Sequence, residues 1–203
     1  ERRFQQALRA GHSQFLAQLP SVHGAVNMRA STTPATTAPL GERLALHRQH
    51  VDTVGYLLAE WAHAIDQGRV EDIAALMRPD GRYTVTSRFN HDRGLPMAII
   101  DAHSAAQLRD RIKSMRLANI YQPQSYRHVI SGIQVIGQEA SGWLQVRSSF
   151  AVVRTMELMG DSMLFASGEC HDLIDLQGPE PRFAQRRLVY DSRAVETLMV
   201  IPL

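Results

Sequence analysis

From about residue 126 to residue 190 the chain alternates apolar and polar side chains with a period of two. In the run that starts at Leu144, residues Leu144, Val146, Phe150 and Val152 fall on one face, and Gln145, Arg147 and Ser149 on the other. That spacing is a half-buried strand. Four long strands are predicted, at 127–138, 143–157, 161–175 and 182–190. Turn formers separate them: Ala140-Ser141-Gly142, Gly160-Asp161 and Gly178-Pro179. Each suits a hairpin. A ribbon of this kind has to bury one face against something else.

The cover comes from upstream. Val51, Val54, Leu58, Trp61 and Ile65 recur three and four residues apart, the stripe of an amphipathic helix, with Gly68 as its stop. A short second helix with Val70, Ile73, Leu76 and Met77 inward is expected next. Pro79-Asp80-Gly81 reads as a turn, 82–88 as a strand, 89–96 as a loop and 98–101 as a short strand. Ser104 and Gln107 have capping-box spacing. They open a helix to about Leu117 with Leu108, Ile112 and Met115 buried. Helices first and a long antiparallel sheet afterwards define an α+β fold, a curved sheet wrapped around helices.

Residues 1–28 carry a weak apolar stripe of Phe4, Leu8, Phe15 and Leu19 and read as an accessory helical segment that docks on the body or on a neighbour. Residues 29–44 are a Ser/Thr/Pro/Ala-rich linker, and 45–203 form the α+β domain. The tail DSRAVETLMVIPL (191–203) ends apolar, so it has to be buried.

Charge excludes one class of partner. Twenty-two basic residues face twenty acidic ones, a net charge of +2, and no polybasic face for nucleic acid emerges. Arg109, Arg111, Lys113 and Arg116, and separately Arg186 and Arg187, read as solvated or subunit-facing surfaces. No apolar run approaches the length of a membrane span. Cys170 is the only cysteine, which excludes an internal disulfide and fits a reducing, cytoplasmic setting. It also excludes an iron–sulfur cluster held by this chain alone.

Few residues suggest chemistry. His47 and His50 sit a turn apart, but Asp52 points off their face, so no facial metal triad forms. Cys170 and His171 are adjacent in a strand and point to opposite faces. Tyr83, Asp101, His103, His128 and His171 could approach a pocket, with His128 as a general base oriented by a carboxylate. The same histidine can instead pin the start of its strand. The segment ANIYQPQSYRH (118–128) brings Tyr121, Tyr126 and Arg127 around Pro123. Tyrosine and arginine are enriched at interface anchors, so the segment reads as contact surface or as a plain helix-to-strand connection.

Five stretches carry a family resemblance: NHDRGLP (90–96), LRDRIKSMRLANIY (108–121), YRHVI (126–130), FASGE (165–169) and the tail 191–203. In this order, over about residues 50–203, the sequence resembles the small (β) subunits of Rieske-type aromatic-ring-hydroxylating oxygenases. It is most similar to those serving terephthalate, anthranilate and salicylate. The resemblance implies a cone-like fold of the nuclear transport factor 2 and scytalone dehydratase type. It implies a structural, non-catalytic role in an α3β3 hetero-hexamer, with β–β contacts in a trimer. The α subunit is then expected to hold the Rieske 2Fe–2S cluster and a mononuclear Fe(II), leaving this chain without catalytic, cofactor or metal residues. Arg109, Arg111, Tyr121, Tyr126, Arg127 and His128 are the candidate subunit contacts. The alternative is a stand-alone cone-fold dehydratase or isomerase using His128 as acid and base.

Overall fold

The structure is a computed structural model, and it describes residues 38–118, 122–193, 199 and 201–203. The chain divides into residues 1–30 and 31–203, and every described residue lies in the second unit. The expected accessory segment 1–28, and the expected linker as far as residue 37, lie outside the described residues.

Helix α1 spans Leu40–Asp66. It begins earlier than the apolar stripe from Val51 indicated, so residues 40–44, expected in the linker, are helical. Pro39 precedes it and its carbonyl takes the first helical bond, from Arg43 N–H at 3.2 Å. Glu42 in the first turn suits the positive end of the helix dipole. The stripe is buried as expected: Val54, Leu58 and Trp61 are fully enclosed. The helix stops at Gly68, whose φ of 73° places it in the left-handed region and whose N–H reaches the Ile65 carbonyl at 2.9 Å.

The short second helix is a 3-10 helix at Val70–Ala75. Strand β1 then runs Met77–Ser87. Pro79-Asp80-Gly81 does not turn the chain back; it lies inside β1, where the pairing slips between Met77 and Arg82. Proline and glycine are tolerated in a strand at such an irregularity. Residues expected in a loop form a short helix α2, Arg88–Asp92, capped by the Ser87 hydroxyl, which accepts from Asn90 N–H at 3.2 Å. Strand β2 is Ile100–Ala102 and helix α3 is Ala105–Ala118. The Ser104 hydroxyl caps Gln107 N–H at 3.2 Å, and the Gln107 side chain reaches back to His103 N–H at 2.7 Å, one residue beyond the usual capping-box partner.

The four long strands are β3 (Gln124–Gln138), β4 (Leu144–Met156), β5 (Ser162–Asp175) and β6 (Arg182–Tyr190). All six strands form one sheet in the order β2-β1-β6-β5-β4-β3. Every pairing is antiparallel except β1 with β6, which is parallel and requires the chain to cross over. One sheet face carries Tyr83, Val85, Val146, Phe150, Val152, Cys170, Ile174 and Leu188, all buried in the core with Trp61, Leu108 and Ile112 of the helices. This is the α+β arrangement the sequence predicts.

Two details fix the sheet. Gly168, in the FASGE motif, pairs with Tyr190 so closely that an added Cβ would stand 2.0 Å from the Val189 carbonyl oxygen. Only glycine fits there. At the other border, β3 is overlaid by α1: the backbone N–H of His128 points at the Asp66 carboxylate, and that of Val135 at His47 Nδ1, 3.4 Å away.

Candidate functional site

The Tyr126-Arg127-His128 segment lies near the start of β3, where strand alternation puts Tyr126 and His128 on one face and Arg127 on the other. Tyr126 turns inward and is buried, its ring 5.3 Å from Phe165. Phe165 in turn lies under the Arg154 guanidinium, 4.9 Å away. Arg127 faces outward and is exposed, 3.7 Å from Asp66. The His128 ring is enclosed. Its Nδ1 lies 2.6 Å from Asp66 Oδ1, and its backbone N–H also donates to that carboxylate, at 3.0 and 3.2 Å. The carboxylate suggested for His128 is therefore present, but Nε2 is buried with no hydrogen-bond partner among the described residues. None of the surface grooves described below is lined by His128. The geometry pins α1 to the edge strand.

Of the other contact candidates, Arg109 is exposed on α3. Arg111 is half-buried and donates to the Met199 carbonyl at 3.3 Å, holding the tail. Tyr121 lies outside the described residues.

The five acid–base candidates do not meet in one pocket. Tyr83 faces the core, where its hydroxyl donates to the Leu203 carbonyl at 2.8 Å and accepts from Leu203 N–H at 3.0 Å. Burial pushes its phenol above the ordinary range. Trp61 Nε1–H donates to the same carbonyl at 3.0 Å. Met199, Ile201 and Leu203 are all buried, as the apolar tail demanded, and Leu203 is enclosed with Trp61 and Tyr83. Asp101 and His171 lie on the opposite sheet face, and His103 is exposed, 3.5 Å from Asp101.

Sequence reasoning missed the polar group inside the core. Arg186 was expected on a solvated face, but it is buried and paired with buried Asp172, Nη1 to Oδ2 at 2.8 Å. Its guanidinium lies 4.8 Å from the rings of both Trp61 and Phe183. Burial drives the Asp172 carboxyl upward, and Arg186 opposes that shift. Burial also pushes the Cys170 thiol up to about 12, which leaves it inert at neutral pH. The signal was present: Arg186 shares its strand face with Leu188 and Tyr190, and Asp172 shares its face with Cys170 and Ile174. Among the described residues, Asp172 Oδ1 and Arg186 Nε are buried without a hydrogen-bond partner.

Among the described residues, no group of three or more His, Cys, Asp or Glu converges on a point. His47 instead guards β3. Cys170 faces the core while His171 stacks on His91 outside it, ring centroids 5.4 Å apart. No helix among the described residues is long and apolar enough to cross a membrane.

The open surfaces are grooves. One, of about 210 Å³, lies between β1 and the loop 94–98; another, of about 320 Å³, lies between the start of α1 and residues 132–136; a third, of about 260 Å³, lies near His171 and Gln185.

Against known proteins, the profile of the Ring hydroxylating beta subunit family matches residues 61–197. The small subunit of anthranilate 1,2-dioxygenase from Burkholderia cepacia is 32% identical over 139 residues, covering 68% of this chain and 85% of that one. The β2 subunit of the terminal oxygenase component of terephthalate 1,2-dioxygenase from Comamonas sp is 36% identical over 145 residues, covering 71% and 93%. A crystal structure of a β subunit assigned to aromatic-ring-hydroxylating dioxygenases, from Novosphingobium aromaticivorans DSM 12444, superposes with a TM-score of 0.69 at 28% identity, covering 77% of this chain and 98% of that one. With a sheet and helices arranged as in these subunits, and a match that spans most of the body, the chain belongs to the family of ring-hydroxylating β subunits.

Proposed function

We propose that this chain is the non-catalytic β subunit of the terminal component of a cytoplasmic aromatic-ring-hydroxylating oxygenase that acts on an aromatic carboxylate. One observation carries the reading. Among the described residues, the fully buried Trp61, Tyr83, Phe183 and Leu203 pack into the space between sheet and helices, which favours a supporting role over a reaction chamber. Anthranilate and terephthalate in the relatives' names support the substrate class.

The redox groups belong on a partner. A Rieske centre needs two cysteines and two histidines. This chain has one cysteine, and it is buried, so the cluster does not fit here. An α subunit supplies the 2Fe–2S cluster and the mononuclear iron, and the two chains assemble as α3β3 with the β chains in contact. Exposed Arg127 and Arg109 are the contact residues with free surface for that assembly. Tyr126, His128 and Arg111 act behind them, by fixing β3, α1 and the tail. Tyr121 completes the set.

A second reading, acid–base catalysis by His128, has the Asp66–His128 pair in its favour. The enclosed ring weighs against it. Purifying the full chain alone and together with its Rieske partner separates the two. The expected result is no turnover and no stoichiometric iron in the chain alone, and oxygenase activity only in the complex. Turnover by the chain alone that disappears in His128→Ala would overturn the proposal.

A further inference from the structure

On the sheet face opposite the core, each strand contributes one residue to a continuous polar row. From β2 to β3 the register gives Asp101, Thr84, Arg187, His171, Arg147 and Gln134. Most of these groups are satisfied within the row. Asp101 takes both arms of Arg82, at 2.9 and 2.8 Å, and the Thr84 hydroxyl at 3.1 Å. Arg147 donates to Gln134 at 2.8 Å. His171 stacks on His91 of α2 and lies 3.6 Å from Glu169.

Arg187, at the centre, is the exception. No carboxylate pairs with it among the described residues, and its Nε is buried without a hydrogen-bond partner. A half-buried guanidinium that no carboxylate caps directly is a ready partner for an anion. Arg187 also lines the groove of about 210 Å³ beneath the loop 94–98. The far wall is Leu95, Pro96, Met97 and Ala98, with His91 beside it. Leu95 and Met97 are exposed, an unusual state for adjoining large apolar side chains in a loop.

We infer that this groove binds a small carboxylate with a flat apolar body, a single-ring aromatic acid, with Arg187 holding the carboxylate and the Leu95–Ala98 wall and the His91 ring holding the body. Charge favours a monoanion over phosphate. Among the lining residues Arg82 and Asp101 cancel, which leaves the single positive charge of Arg187. Burial and Arg187 itself hold His91 below the ordinary histidine value, so its ring is neutral at pH 7 and offers a face rather than a charge. The groove is small for a peptide and large enough for one ring. The groove is lined by residues of this chain, and its ligand can fail to bind without affecting the assignment as a β subunit.

Calorimetric titration of the full chain with benzoate, acetate and benzyl alcohol tests it, with circular dichroism as a check on folding. Saturable benzoate binding is expected, about tenfold or more tighter than either fragment, because both halves of the ligand are held. Arg187→Gln should weaken benzoate by about tenfold or more, and Arg187→Lys by less. Met97→Asp changes only an exposed wall residue and should also abolish binding. Three outcomes overturn the inference: no saturable benzoate binding, acetate binding as tightly as benzoate, or unchanged affinity in both Arg187→Gln and Met97→Asp. If benzoate fails to bind while Arg187→Gln loses its Rieske partner on co-purification, the groove belongs to a carboxylate of that partner instead.

Discussion

Asp66, the last residue of α1, receives both the ring nitrogen and the backbone N–H of His128, sixty-two residues away on the edge strand. One buried carboxylate thus ties the end of the longest helix to the start of β3. Asp66→Ala leaves both His128 groups without an acceptor. The expected loss is about 2–4 kcal/mol in urea unfolding. Asp66→Asn keeps one acceptor and should lose less. A change under about 0.5 kcal/mol, the range of a neutral surface substitution, would show that the tie carries no stability.

The Arg186–Asp172 pair lies in the core beside Trp61 and Phe183. Arg186→Met strands the buried carboxylate and should destabilise by about 3–5 kcal/mol. Adding Asp172→Leu removes the stranded charge and should recover most of that loss. A double variant no more stable than Arg186→Met would refute this account of the core.

The tail is anchored by two side chains that share one carbonyl, Trp61 Nε1–H and the Tyr83 hydroxyl on Leu203. Tyr83→Phe should cost about 1–2 kcal/mol, since Leu203 N–H also loses its acceptor. Trp61→Phe creates a void as well and should cost more. A double-mutant cycle should give clear coupling, because the two donors meet at one atom.

Stability should fall on mild acidification because of His91 and His171. Burial, then Arg187, holds His91 below its ordinary value; burial, then the His91 ring, does the same for His171. The folded state therefore binds fewer protons than the unfolded chain just below pH 6.5, and stability drops as pH falls through that window. Arg88, Arg147 and Arg187 face this pair, with Asp92 and Glu169 opposing them. Arg187→Gln should raise both imidazole values in an NMR titration. An unchanged titration would mean that Arg187 is too well screened to act on them.

Assembly offers a further check. Arg127→Ala should weaken association with the Rieske partner by about 1–4 kcal/mol while leaving the monomer fold intact. Sedimentation of the co-expressed complex measures this, and an unaltered complex would remove Arg127 from the proposed contact set.

Much of this was legible in the chain itself. Strand β6 spans 182–190 as its alternation required, and β4 and β5 differ by a single residue at their ends. Local periodicity is enough where one sheet face is dry. It fails at β1, because Pro79-Asp80-Gly81 has the composition of a turn and only the parallel pairing with β6 reveals a bulged strand. Tyr126 was read for its interface chemistry, but the alternation of Tyr126, Arg127 and His128 already placed it opposite the exposed arginine. Asp66 was invisible as the partner of His128, since no local pattern links residues so far apart. The unpaired state of Arg187 depends on register across six strands and could only be seen in the fold.

The borders of the sheet limit how copies can join. Among the described residues, one edge is the three-residue β2, too short to template another chain, and the other is β3, where the amides of His128 and Val135 are already taken by Asp66 and His47. Edge-to-edge pairing is thereby restrained at both of these borders, and side chains on the faces and loop tips are the more open route by which other molecules can join.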